Sequence, residues 1–222
     1  DADIDGPSVP RLSGLKDKPE TVPENKRLKP LEAHGLKLMS IGFIVAEDQA
    51  MIWRGPMVQS ALLQMLRDVE WGALDYLVID MPPGTGDAHL TLAQQVPISG
   101  VVVVSTPQDL ALIDARKAIA MFEKVRVPIL GIVENMSYFS CPDCGARSDI
   151  FGHGGARAEA ARRGVPFLGE VPLTPLIRDL SDRGEPIAAR ADSIAAPFHA
   201  IAASIAQALQ PGDRVAPRIF VD

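Results

Sequence analysis

The stretch Tyr76-Leu77-Val78-Ile79-Asp80-Met81-Pro82-Pro83-Gly84-Thr85-Gly86-Asp87 is the one on which the fold turns. A short apolar run ends in an acid and is stopped by prolines and glycines. Such a run predicts a fully buried strand of a parallel sheet. Asp80 then stands at the strand's carboxyl end, where open α/β sheets bind their ligands. An acid in that position needs a partner, and a hydrated Mg²⁺ is one. The following Pro-Pro-Gly-Thr-Gly-Asp cannot extend the strand. A stiff bend with two glycines suits a loop that hugs a phosphate or moves when one leaves. The same residues also fit a plain buried strand whose acid caps a helix at Ala88–Gln95.

Downstream, apolar runs at Gly100–Ser105, Pro128–Asn135 and Pro166–Val171 predict three further strands. Between and after them lie helical patterns. One is long, opened by Thr106-Pro107-Gln108-Asp109 and running to about Val125, and the others are Gly154–Arg163, Thr174–Asp182 and Ser193–Leu209. Upstream, Leu36–Val45 alternates like a strand. Val58, Ala61, Leu62, Met65, Leu66 and Val69 then fall on one face of a helix. Residues 1–35 carry prolines at 7, 10, 19, 23 and 30 and are expected to be loop-rich. Alternating strands and helices predict an α/β fold, a mainly parallel sheet with helices on both faces. The expectation is one domain over 1–222, with a frayed tail at 211–222.

The bulk properties narrow the function. The 222 residues suffice for one sizeable core. A net charge of −6 with no basic block argues against a nucleic-acid partner. No apolar run is long enough to span a membrane and no signal peptide is visible, so no membrane role is expected. Two cysteines do not make a secreted disulfide framework, and a reducing, cytoplasmic setting is the expectation.

Three groups of residues offer chemistry. Asp1 and Asp3, spaced i, i+2, would share one side of a strand, and beside the Asp80 strand they would bring three carboxylates to one end of the sheet. An ordinary acidic turn is the other reading. Asn135 ends a strand with a side chain that both donates and accepts, as an adenine edge requires, although turn-forming asparagines are common there. Cys141 and Cys144 form a Cys-x-x-Cys followed by Gly145. Two thiolates at this spacing grip a metal ion or one edge of a cluster. With no other cysteine in the chain, a four-thiolate site takes one pair from each of two chains. His153 completing a mixed zinc site, a redox dithiol and a pair without a role stay open at this point. His34, His89 and His199 have no partners at ligand spacing, and the two tryptophans and the Met-rich helix 57–66 read as core.

Together these motifs resemble the Mrp/ApbC family of iron–sulfur cluster carrier ATPases, within the MinD-like P-loop ATPases with a deviant Walker A motif. The resemblance covers most of the chain. Asp1-Ala2-Asp3-Ile4-Asp5-Gly6-Pro7-Ser8 is similar to the family's switch I, and Trp53-Arg54-Gly55-Pro56 to its Trp-Arg-Gly-Pro segment. Asp80-Met81-Pro82-Pro83-Gly84-Thr85-Gly86-Asp87 is similar to its Walker B and switch II. Asn135-Met136-Ser137 followed by Cys141-x-x-Cys144 is the most specific pair. The resemblance implies that Asp3 orients the attacking water, that Asp1 and Asp80 act around Mg²⁺, and that Asn135 reads adenine with Val171, Pro172 and Leu173 packed near the base. It implies a [4Fe–4S] cluster held by Cys141 and Cys144 across a homodimer and passed to apo iron–sulfur proteins, with ATP bound and hydrolysed by the intact protein.

There are three departures. No Gly-x-x-x-x-Gly-Lys-Ser/Thr occurs in the sequence, and the phosphate-binding loop is expected to precede residue 1. Asp5 stands where the family usually has Tyr, and Thr174 where an Asp is common. The rival is a MinD- or ParA-like positioning switch, which has no use for the cysteine pair. Such switches often carry an amphipathic membrane-binding tail. Ser193–Leu209, Ala-rich and without Lys or Arg, fits one poorly.

Overall fold

The computed structural model describes residues 1–45, 53 and 55–209. The tail at 211–222 and Arg54 of the Trp-Arg-Gly-Pro segment lie outside the described residues. The chain divides into two compact units, residues 1–92 with 179–189, and residues 93–178 with 190 onward.

The first unit opens with irregular chain and a short helix, α1 (Val9–Ser13), ended by Gly14 in the left-handed region. Strands β1 (Leu31–Ala33) and β2 (Leu36–Leu38) form an antiparallel hairpin. Its two-residue turn, His34-Gly35, has φ of 53° and 76°, the double left-handed geometry that matches strand twist. The strand expected over Leu36–Val45 stops at Leu38. Ser40 ends it by accepting the Gly42 N–H with its hydroxyl and starting a 3₁₀ turn at Ile41–Phe43. Helix α2 (Gly55–Arg67) buries Leu62 and Met65, two of the residues on its expected apolar face. Helix α3 (Asp87–Gln95) buries Leu92 and His89.

Tyr76–Asp80 is not a buried strand. Among the described residues the segment has no ladder, and Tyr76, Leu77 and Val78 are 55%, 45% and 85% exposed. Among the described residues its one backbone bond to another extended segment is Ala2 N–H to the Asp80 carbonyl, at 2.7 Å. Apolar periodicity tells which residues favour burial. Strand formation also requires neighbouring backbone to pair with, and among the described residues residue 2 alone supplies it.

The second unit has the predicted α/β character. Strands β3 (Val101–Ser105), β4 (Ile129–Glu134) and β7 (Phe167–Glu170) form a parallel sheet in the order β3-β4-β7. Helix α4 (Asp109–Lys124) connects β3 to β4. Between β4 and β7 the chain makes a two-stranded antiparallel hairpin, β5 (Phe139–Ser140) and β6 (Arg147–Ser148), then helix α5 (Gly155–Arg163). Helix α6 (Pro175–Asp182) follows β7, and α7 (Ala196–Leu209) comes last.

Side-chain alternation sorts the core onto the two sheet faces. Val103 and Ile132 pack with Leu112, Ala115 and Ile119 of α4 and Ala156 and Ala160 of α5. Val133 and Val171 pack on the other face with Ile201 of α7. Among the described residues β3 lies at the edge of the sheet, and its Val104 is 59% exposed although the Gly100–Ser105 run reads as a buried strand. Gly155 sits where a β-carbon would come 2.5 Å from the Pro107 carbonyl, so only glycine lets α5 start that close. Among the described residues no helix is long and apolar enough to cross a membrane.

Candidate functional site

In the first unit, Asp1 and Asp3 do not project from a strand. The Asp1 carboxylate folds back on its own loop, with Oδ1 accepting the Asp3 N–H at 3.2 Å. Its Oδ2 accepts the Val9 N–H at 3.2 Å and the Ser40 hydroxyl at 2.9 Å. Asp3 Oδ1 accepts the Gly6 N–H at 3.0 Å, a local turn that a short acidic side chain makes readily. The Ala2–Asp80 backbone bond does place the two segments side by side. The three carboxylates expected to converge do not form a cluster. Among the described residues, one group of three His, Cys, Asp or Glu side chains lies within ligand distance of one another, and it is elsewhere.

In the second unit the carboxyl ends of the strands come together. Asn135 N–H bonds to the Ser105 carbonyl at 2.8 Å, so β3 and β4 end level. Asn135 Oδ1 accepts the N–H of Met136, whose φ is 53°. The side chain thus makes the turn considered for it and keeps its amide NH₂ as a donor. Ser137 N–H bonds to the Val171 carbonyl at 3.0 Å and Leu173 N–H to the Tyr138 carbonyl at 2.8 Å. Asn135, Pro172 and Leu173, named from sequence far apart, are carried by adjoining backbone.

The cysteine pair grows out of the same place. β5 begins one residue after Tyr138, and Phe139 is bridged to Leu173. Cys141 N–H bonds to the Ala146 carbonyl and Gly145 N–H to the Cys141 carbonyl, each at 2.9 Å. Gly145, at φ 71°, closes this tight turn. Cys141 is half-buried and Cys144 exposed, both as free thiols. The backbone N–H groups of Cys144 and Asp143, then the Cys144 side chain, hold the Cys141 thiol below its usual range. Donors aimed at the sulfur favour the thiolate, the form that ligates iron or zinc. Both sulfurs sit at a hairpin tip, not at the start of a helix, so the thioredoxin-type arrangement is absent here.

His153 does not complete a site with the cysteines. Its Nε2 lies 3.3 Å from Glu170 Oε2, and Arg157 reaches the other Glu170 oxygen at 3.1 Å. Partial burial pushes the Glu170 carboxyl up, but Arg157 and His153 outweigh it and hold it below the usual range. Sequence reasoning also missed Glu134, a wholly buried carboxylate next to Asn135. The signal available was an acid closing an otherwise apolar run, Ile129-Leu130-Gly131-Ile132-Val133-Glu134.

A parallel sheet covered by helices, with a turn-forming Asn and a proline segment at its carboxyl edge, defines an α/β protein whose strand ends form the candidate ligand site. The MinD cell-division ATPase of Pyrococcus furiosus shares the fold at TM-score 0.62, with 19% identity over 93% of this chain and 83% of that one. A nucleotide-binding protein of Archaeoglobus fulgidus, solved in complex with ADP and with cobalt found in it, superposes at TM-score 0.70. It is 42% identical, over 83% of this chain and 72% of that one. The sequence model described as "ParA: NUBPL iron-transfer P-loop NTPase" matches residues 1–209, and the chain belongs to this family. The iron–sulfur cluster carrier protein of Salmonella typhimurium is 51% identical over 221 residues, which are 99% of this chain and 58% of that protein. The chain spans a little over half the length of the curated relatives it matches.

Proposed function

We propose that the protein is an iron–sulfur cluster carrier, in which Cys141 and Cys144 hold the cluster as cargo and release it to apo iron–sulfur proteins. The observation that carries this is the hairpin tip. A half-buried thiol and an exposed one stand together there, the first with its pKa lowered by backbone N–H groups, on a loop rooted beside Asn135. A [4Fe–4S] cluster takes four thiolates, and the chain has two, so a second copy supplies the other pair. The relatives named as cluster carriers support this cargo.

ATP is the proposed nucleotide, with Asn135 donating to adenine and Pro172 and Leu173 against the ring. The resemblance gives Asp3 to the attacking water and Asp1 and Asp80 to Mg²⁺, but the Asp1 and Asp3 carboxylates are bonded within their own loop and form no cluster with Asp80, so no step is placed on them. The residues that cradle phosphate in this class are not among those of the chain. That one family model runs across both units supports treating the chain as a single P-loop NTPase-type domain.

Anaerobic reconstitution with iron and sulfide tests the proposal. The expected result is a brown protein with about four irons per dimer, and near-complete loss of iron in Cys141→Ser or Cys144→Ser. Either variant keeping its full iron and sulfide would overturn the assignment. A colourless wild type with one bound zinc would point to a structural clip, and one with no metal to a positioning switch.

A further inference from the structure

The segment that carries the cysteines runs from Ser137, just beyond the end of β4, to Gly154 at the start of α5. Both ends of this excursion meet on one side chain. Glu134, fully buried, accepts the Ser137 hydroxyl at 2.6 Å and the Gly154 N–H at 2.9 Å on Oε1, and the Ala156 N–H at 2.8 Å on Oε2. Its backbone carbonyl accepts the Val171 N–H at 2.8 Å, and Asn135 is the next residue. One residue thus touches the proposed base-reading segment, the proline segment and both roots of the cysteine loop.

The capping of α5 shows that this is not routine helix chemistry. The residue at the cap position is Gly154, which is left-handed and has no side chain to offer. A local Ser, Asp or Asn would ordinarily cap such a helix. Here the acceptor comes from Glu134, twenty positions earlier in the chain. The start of α5 therefore depends on where β4 ends. Three converging donors call for a group that only accepts, and the helix N-terminus favours negative charge there. His153 and Glu170 lie within ligand distance of Glu134. The Glu134 oxygens are already bonded to three donors and a Glu170 oxygen to Arg157, an arrangement that suits a clamp better than a cation site. His153, next to Gly154, pairs with Glu170 of β7 and so ties the same end of the loop to the sheet.

We propose that Glu134 is a positioning residue that clamps the root of the cysteine loop to the end of β4, so that occupancy beside Asn135 is felt at the thiol pair. The regulatory half of this proposal rests on the nucleotide assignment above. The clamp itself does not.

The test is amide hydrogen exchange on the intact protein, with and without ADP, in wild type, Glu134→Gln and Glu159→Gln. Glutamine keeps the volume but turns a donor toward N–H groups. In Glu134→Gln, exchange over 137–156 is expected to rise about tenfold, with 101–105 unchanged. ADP slows exchange at 139–148 in wild type and in Glu159→Gln, which weakens α5 away from the loop root, but not in Glu134→Gln. Unchanged exchange over 137–156 in Glu134→Gln overturns the clamp, as does an equal rise in Glu159→Gln when each is taken relative to 101–105 in the same variant. An ADP effect that is absent from wild type, or equal in wild type and Glu134→Gln, overturns the coupling. If exchange behaves as stated while reconstitution yields no cluster, the cargo assignment fails and the clamp stands.

Discussion

Replacing Glu159 with glutamine tests how α4 and α5 are held together. Glu159 is 3% exposed and accepts from Arg116 Nε at 3.0 Å, Arg162 Nε at 3.0 Å and Arg163 Nε at 3.1 Å. Burial pushes its carboxyl up, and the guanidiniums of Arg162, Arg116 and Arg163 pull it down further, from 4.5 to about 2. At about 1.4 kcal/mol per pH unit, the gross preference for the ionised form is about 3 kcal/mol. The three arginine side chains are 37%, 58% and 25% exposed, and water screens them, which reduces the net value to about 2 kcal/mol. In Glu159→Gln a single acceptor oxygen faces three guanidiniums that return partly to water. Urea unfolding followed by circular dichroism at pH 7 should show a loss of about 2 kcal/mol, or about 4–8 °C in Tm for a chain this size. The folded-state pKa is depressed, so the stabilisation is complete above pH 4.5 and is lost as pH falls toward 2. The gap between wild type and variant should therefore narrow over that window. A variant within about 0.5 kcal/mol of wild type at pH 7, or a gap that stays constant down to pH 2.5, would refute the reasoning.

Gly155→Ala places a β-carbon 2.5 Å from the Pro107 carbonyl and should cost about 1–3 kcal/mol, read by the same unfolding assay. Asn135→Ala removes the amide donor and the turn at Met136 together, so ADP affinity measured by calorimetry should fall by about tenfold. The chain as it stands, lacking a Gly-x-x-x-x-Gly-Lys-Ser/Thr, should release no phosphate from ATP above background in a coupled assay. Turnover at the rate of a longer relative would show that other residues cradle the phosphates.

Much of the second unit was legible in the sequence, because its signals are local. The Val101–Ser105 and Ile129–Glu134 runs are continuous and apolar, and Pro107 and Asp109 mark the start of α4. Locally, Asn135 reads as a turn former, and its Oδ1 does accept the Met136 N–H; the Cys-x-x-Cys spacing drew a metal reading because the chain's two cysteines stand together. Two expectations failed for a common reason. Leu36–Val45 and Tyr76–Asp80 both have strand-like patterns, but a strand exists only where backbone on another segment is in register with it. After Leu38 the Ser40 hydroxyl offers the backbone a competing partner. The Asp1–Asp3 spacing likewise implied convergence with Asp80 only if residues 1–3 were a strand, and Asp1 instead satisfies Val9 and Ser40.

Glu134 marks the limit of reading by local rules. A carboxylate at the end of an apolar strand is an anomaly in the pattern, and the pattern cannot say what resolves it. The resolution lies at positions 137, 154 and 156, on either side of the loop that carries the cysteines. Burying the group is tolerable only with several donors around it, and those donors exist only once the hairpin has folded and α5 has begun. The cost of burial is thus tied to the placement of the thiol pair. A substitution at Glu134 should disturb the hairpin root before it disturbs the sheet, because β4 keeps its ladder to β3 and β7 without that side chain.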